Sequence, residues 1–149
     1  MSRQKVTTFL WFDTQAEEAA NFYVSLFENS RITHVTPGPT GAAFVVEFEL
    51  AGIQYIALNG GPMFQFSPAI SLSIDCADQA EVDRLWEQLS AGGSDFNCGW
   101  LKDRFGLSWQ IVPSVLPKLM ADTSGRVMQA LLQMTKLDIQ KLQDAYDGK

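Results

Sequence analysis

Apolar and polar positions change period several times along the chain, and each change marks an element. Thr7 to Phe12 is a β-branched and aromatic run ending at Asp13-Thr14, the pattern of a strand that stops at a helix N-cap. Ala16, Ala19, Ala20, Phe22, Tyr23, Leu26 and Phe27 then recur at steps of three and four, with Glu17 and Glu18 in the first turn, and predict a helix ending at Glu28-Asn29-Ser30. Arg31 to Thr36 reads as a strand, followed by the turn cluster Pro37-Gly38-Pro39-Thr40-Gly41. In Ala43 to Leu50 the apolar residues Phe44, Val46, Phe48 and Leu50 alternate with Val45, Glu47 and Glu49, the period of a half-buried strand. Ala51-Gly52 predicts a tight turn into a further strand, Ile53 to Asn59, closed by Gly60-Gly61-Pro62.

The same order follows again. Ile70, Leu72, Ile74 and Cys76 alternate with Ser71, Ser73 and Asp75, giving one apolar face and one lined by small hydroxyls. Asp78 caps a second helix whose apolar stripe is Ala80, Val82, Leu85, Trp86 and Leu89, ended by Gly92-Gly93. Phe96 to Leu101, a turn over Lys102-Asp103-Arg104-Phe105-Gly106, and Leu107 to Val112 predict strand, hairpin and strand, with Pro113 at the close. Three short apolar stripes follow, on Val115 to Met120, Val127 to Met134 and Leu137 to Tyr146. These helices must bury their stripes, either on the body of the chain or on a partner subunit.

The element order is therefore βαβββ twice, then helices, and faint letter matches accompany it. Gln15-Ala16-Glu17 recurs as Gln79-Ala80-Glu81 and Phe22 falls on Trp86, both 64 positions later, while Asp13 falls on Asp75 at 62. Gly52-Ile53-Gln54-Tyr55-Ile56-Ala57 aligns with Gly106-Leu107-Ser108-Trp109-Gln110-Ile111 at 54. The reading is an α+β fold in a single domain, with module one over 5–62, module two over 68–113 and a helical tail over 114–149.

Composition narrows the function. The 149 residues are 46% hydrophobic, enough for one sizeable core, and the net charge of -6 with no basic stripe argues against nucleic acid. No apolar run approaches the roughly 20 residues of a membrane span, and no secretory leader is readable, so a cytoplasmic chain is expected. Cys76 and Cys98 read as free thiols in that compartment.

Leu10-Trp11-Phe12-Asp13 with Gln15-Ala16-Glu17-Glu18-Ala19-Ala20 and Phe22-Tyr23, Leu58-Asn59-Gly60-Gly61-Pro62, and the long block Cys98 to Pro113 resemble the PhnB-like branch of the vicinal oxygen chelate (glyoxalase, bleomycin resistance and dioxygenase) superfamily. Arg126 to Ile139 resembles the tail of that branch. The resemblance implies two βαβββ modules whose sheets curl into a cleft, often as a homodimer with shared or exchanged modules. Members often carry a demethylubiquinone methyltransferase-like label. A methyltransferase using S-adenosylmethionine usually has a Gly-rich turn between a parallel strand and a helix, whereas Gly60-Gly61 runs straight into Pro62.

Metal-using relatives take ligands from the first and last strand of each module. On this chain those positions fall on Thr7 (or Thr8, one residue along), Ile56, Ala69 and Gln110, of which Gln110 alone is a donor of the expected kind. No tightly bound metal and no other cofactor is expected. His34, on a strand before the turn cluster, reads as a surface histidine; Glu47 and Glu49 read either as a carboxylate pair or as the solvated face of a strand. The cleft is expected to be lined by Phe9 and Trp11, with Tyr55 or Ala57 according to register, and by Ser71, Ser73, Ser108 and Gln110. Such a lining suits a small, partly apolar or planar molecule. The leading expectation is thus a metal-free small-molecule-binding protein. The alternatives are a metal-dependent lyase, isomerase or dioxygenase, the methyltransferase of the family label, or a purely structural homodimer.

Overall fold

The computed structural model describes residues 4–149. In chain order its elements are β1 (Thr8–Phe12), α1 (Ala16–Val24), β2 (Arg31–Pro37), β3 (Ala43–Leu50), β4 (Ile53–Asn59), β5 (Ser71–Cys76), α2 (Gln79–Ser90), β6 (Ser94–Asp95), β7 (Trp100–Lys102), β8 (Ser108–Pro113), α3 (Leu116–Leu119), α4 (Arg126–Leu132) and α5 (Ile139–Asp147). The chain divides between Gln65 and Phe66 into two compact units, each built on one open four-stranded mixed sheet. No described helix is long and apolar enough to cross a membrane.

In the first unit the strand order is β1-β4-β3-β2, with β1 and β4 parallel and the other pairs antiparallel. Val46, Phe48 and Leu50 of β3 are buried, as are Ala16, Ala19, Ala20 and Tyr23 of α1, which packs on that strand. Tyr23, Phe48 and Tyr55 form one aromatic series, with Phe48 stacked on Tyr55 at 5.7 Å. Each such side chain contributes roughly 1.5–3 kcal/mol by leaving water. Phe44, expected inside with them, is 45% exposed. A nine-residue helix is about 13 Å long, and it cannot cover a strand of roughly 27 Å to its end.

Two sequence expectations about α1 change. The helix ends at Val24, short of Phe27, and its N-cap position is Gln15, whose side chain makes no cap bond. The free amide of Ala16 instead donates to Asn59 Oδ1 at 2.8 Å, while Asn59 Nδ2 donates to Ala43 O at 2.9 Å. One asparagine at the end of β4 thus does the work assigned to Asp13-Thr14. The Ala51-Gly52 turn is present, with φ of 49° and 84°, the two left-handed residues a tight hairpin needs.

In the second unit the order is β5-β8-β7-β6, again with the first and last strands parallel. Asp78 caps α2 by accepting from Glu81 N at 2.9 Å, and Glu81 Oε1 accepts from Ala77 N in return. Val82, Leu85, Trp86 and Leu89 are its buried stripe. Of the strand expected over Phe96 to Leu101 only Trp100 and Leu101 are strand, in β7; Phe96 to Gly99 instead turn the chain back from β6 to β7, with Cys98 and Gly99 both left-handed, φ 63° and 84°. β5 starts at Ser71, so Ala69 lies before the strand and Ile70 is 71% exposed.

The repeat is sharper in the strands than in the letters. Phe9 pairs with Ile56 and Leu10 with Ala57; Ser73 pairs with Gln110 and Ile74 with Ile111. The last strands therefore correspond at 54, as expected, and the first strands at 64. Asp75 thus corresponds to Trp11 and not to Asp13. In the helices the buried series Ala16, Ala19, Ala20, Tyr23 maps onto Val82, Leu85, Trp86, Leu89 at 66, so the Gln-Ala-Glu match at 64 is out of phase with packing.

The tail helices pack mainly on one another, around buried Leu119, Val127, Leu137 and Leu142. They are fastened to the second unit through its loops. Cys98 N and Gly99 N donate to Met134 O and Thr135 O, both at 2.8 Å. Gln79 donates to Leu137 O and accepts from Ile139 N, and Lys136 pairs with Asp83 at 2.8 Å.

Candidate functional site

Each sheet has a helix-covered face and a second, open face. In the first unit Leu10, Phe12, Phe48 and Ala57 are buried on the helix side, so alternation puts Phe9, Trp11, Glu47, Ile56 and Leu58 on the other. Phe9 is 60% exposed there. Trp11 is held: its Nε1 donates to Gly61 O at 2.9 Å, and Phe64 meets its ring edge-on with centroids 5.0 Å apart. Gly60 lies so close against the indole that a Cβ there would collide with the ring. Tyr55 and Ala57, the register-dependent candidates, belong to the helix side.

The carboxylates of this face do not form a pair. Glu49 meets Arg31 at 3.5 Å, and Glu47 accepts from Gln54 Nε2 at 3.4 Å. His34 is exposed, opposite Glu47 across the β2–β3 register.

In the second unit Leu101, Trp109 and Ile111 are buried on the helix side. Ser71 and Ser73 of β5 lie directly opposite Ser108 and Gln110 of β8, so these four expected residues share the face turned away from α2, where Ser73 is exposed, Ser71 and Gln110 are half-buried and Ser108 is covered. Gln110 Nε2 donates to Ser71 Oγ at 2.9 Å. Ser108 is fully buried, and its Oγ has no hydrogen-bond partner among the described residues. Trp100 and Lys102 of β7 join the face as register partners of Gln110 and Ser108. Both were missed as site residues in the sequence, Lys102 having been placed in a turn. The signal was its alternation with the apolar Leu101.

The two thiols differ from these groups in being held in packing. Cys76 is buried, and burial, with the charges of Glu81 and Asp75 nearby, pushes its thiol up to about 12. Cys98 Sγ lies 3.6 Å from Leu131 O.

A family model described as 3-demethylubiquinone-9 3-methyltransferase matches residues 4–112. The chain belongs to this family. A PhnB protein from Bacillus cereus with the same methyltransferase label is 33% identical over 74% of the chain and 99% of its own, with a TM-score of 0.70. A Pseudomonas aeruginosa protein of 18% identity gives 0.63, over 74% and 98%. The fosfomycin resistance protein FosX of Listeria monocytogenes, a vicinal oxygen chelate superfamily member, gives 0.58 at 16% identity, over 79% and 97%. A second FosX structure, complexed with Mn(II) and sulfate, gives 0.55 at 16% identity, over 74% and 92%. At that identity FosX shares the fold. No protein of curated function matches the chain.

The register tests whether this family member could hold a metal where metal-using relatives do. Thr7 corresponds to Ser71 at the first-strand offset of 64, so the expected position Ala69 is replaced by Ser71. The four positions then carry Thr7, Ile56, Ser71 and Gln110: two hydroxyls, an alkyl chain and an amide whose nitrogen is bound to Ser71. That set does not fit a tightly held divalent ion: it lacks the imidazole, carboxylate or thiolate donors of transition-metal sites, and the one amide oxygen of Gln110 is too few for a site of hard oxygen donors. Among the described residues no group of three or more His, Cys, Asp or Glu is placed to hold a metal.

Proposed function

We propose that this family member binds a small organic molecule on a sheet face turned away from its helix, without a tightly held metal. The observation that carries the reading is the row of polar groups on the second sheet facing away from α2, the hydroxyls of Ser71, Ser73 and Ser108 and the amide oxygen of Gln110, beside the ring of Trp100. Such groups orient a partly apolar ligand through a few hydrogen bonds. The test is elemental analysis of purified protein together with a thermal-shift screen of small organic compounds, repeated after chelation. Metal should be sub-stoichiometric and the melting temperature indifferent to chelator. A ligand at about 100 times its Kd adds about 2.7 kcal/mol, a rise of roughly 5–10 °C. Stoichiometric metal that survives dialysis would sink the metal-free part of the reading.

The family's name favours a second reading, methyl transfer from S-adenosylmethionine. Against it, Gly60-Gly61 follows β4 and opens no helix. Transfer of labelled methyl to a demethylated quinone would establish it. In either reading we expect a cytoplasmic homodimer; self-association is supported by exposed Val6, Met63, Phe64 and Ile70 and checked by sedimentation.

A further inference from the structure

The register of the second sheet lines up one row of side chains across all four strands. Ser94 of β6 is opposite Lys102 of β7, Lys102 opposite Ser108 of β8, and Ser108 opposite Ser71 of β5. Directly opposed residues point to the same face, and neighbouring strands are about 4.8 Å apart. The row is therefore an ammonium between two hydroxyls, with a third beyond. The next row along the strands is Trp100, Gln110 and Ser73.

Lys102, Ser108 and Ser71 of the first row each have a donor to spare. Lys102 is half-buried and takes part in no ion pair among the described residues. Ser71 Oγ already accepts from Gln110, which leaves its own proton free to donate. Ser108 Oγ, at the centre, is buried without any partner. A buried unsatisfied hydroxyl costs about 1–3 kcal/mol and calls for an explanation. The carboxylate on this face, Asp75, lies two rows away on β5 and is occupied with Ser114 Oγ at 2.8 Å.

From this we infer that the open face of the second sheet binds the oxyanion of a small organic molecule: Lys102 and Ser71 receive the anionic group, Ser108 lies at the floor between them, and Trp100 flanks the apolar part. The inference rests on the small-molecule reading above and names the ligand class. Charge-assisted hydrogen bonds are roughly twice as strong as neutral ones, so the anion and not the apolar part should dominate affinity.

The test pairs two probes of one shape, benzoate and its neutral amide benzamide, titrated into the full chain by tryptophan fluorescence or NMR, with inorganic phosphate as competitor. Benzoate should bind saturably and more tightly than benzamide, be displaced by phosphate, and weaken as salt rises. Lys102→Met should weaken benzoate at least tenfold and leave benzamide unchanged. Ser71→Ala should weaken benzoate several-fold, and Lys118→Met, on α3 and outside the row, should do nothing. Equal binding of both probes, untouched by Lys102→Met, would overturn the oxyanion site while small-molecule binding stands. No saturable binding of either would overturn both.

Discussion

Asp103 offers a quantitative test of how the second sheet is held. It lies in the β7–β8 turn, 2% exposed, and its carboxyl meets at least three N–H donors. Oδ1 accepts from Phe105 N at 2.9 Å and Leu107 N at 3.1 Å, and Oδ2 accepts from the indole Nε1 of Trp109 at 2.9 Å. Asp103→Ala would leave the buried Leu107 amide and the Trp109 indole without these acceptors, at about 1–3 kcal/mol each, so a loss of about 4 kcal/mol is expected. Asp103→Asn is more diagnostic. Its oxygen can keep the two backbone amides, which turns the amide nitrogen toward Trp109 and sets donor against donor, costing about 2 kcal/mol. In a Trp109→Phe background that opposition is gone, and the same change should cost under about 0.5 kcal/mol. Urea unfolding of the four proteins gives the coupling directly, expected near 1.5 kcal/mol. A coupling below about 0.5 kcal/mol would refute the account of Asp103 as the clamp of this turn.

Three further outcomes are expected. Ala51 is left-handed at φ 49° in the β3–β4 turn, so Ala51→Asn, giving the favoured Asn-Gly pair, should stabilise by about 1 kcal/mol and raise the melting temperature by about 3 °C in calorimetry. Because Cys76 is held protonated in the folded chain up to about 12, its contribution to stability is complete below the ordinary thiol range. It is lost as pH rises from about 9 toward 12, and iodoacetamide at pH 8 should leave Cys76 unlabelled until the chain unfolds. Leu142→Ala removes a fully buried side chain from the small tail core, at about 2–5 kcal/mol. Hydrogen exchange should then quicken at the amides of Cys98 and Gly99, which bond to the tail, and stay unchanged in the first unit.

Much of the fold was legible because most strands alternate cleanly. β3 and β4 begin and end where the pattern of Ala43 to Leu50 and Ile53 to Asn59 put them. What was hidden depends on partners distant in sequence or on conformations the residue type does not announce. The cap of α1 comes from Asn59, 43 residues downstream, while a nearer Asp13 offered the expected local signal. The turn from β6 to β7 takes a left-handed Cys98, and cysteine carries no mark of that preference. At the candidate site the hydroxyl face of Ser71 and Ser73 was visible from alternation alone. Lys102 became part of it only through the register that sets it beside Ser108, because opposition across strands is not written in either strand.

The bonds from the tail to the second unit also bear on the order in which the chain acquires structure during synthesis. The first unit draws the partners described for it from residues up to 65, so it can complete itself while the remainder is still being made. The second cannot: the turn at Cys98 and Gly99 and the side chain of Gln79 wait for carbonyls and amides between Leu131 and Ile139. A nascent chain paused before that stretch would carry one finished half and one with its loops still open.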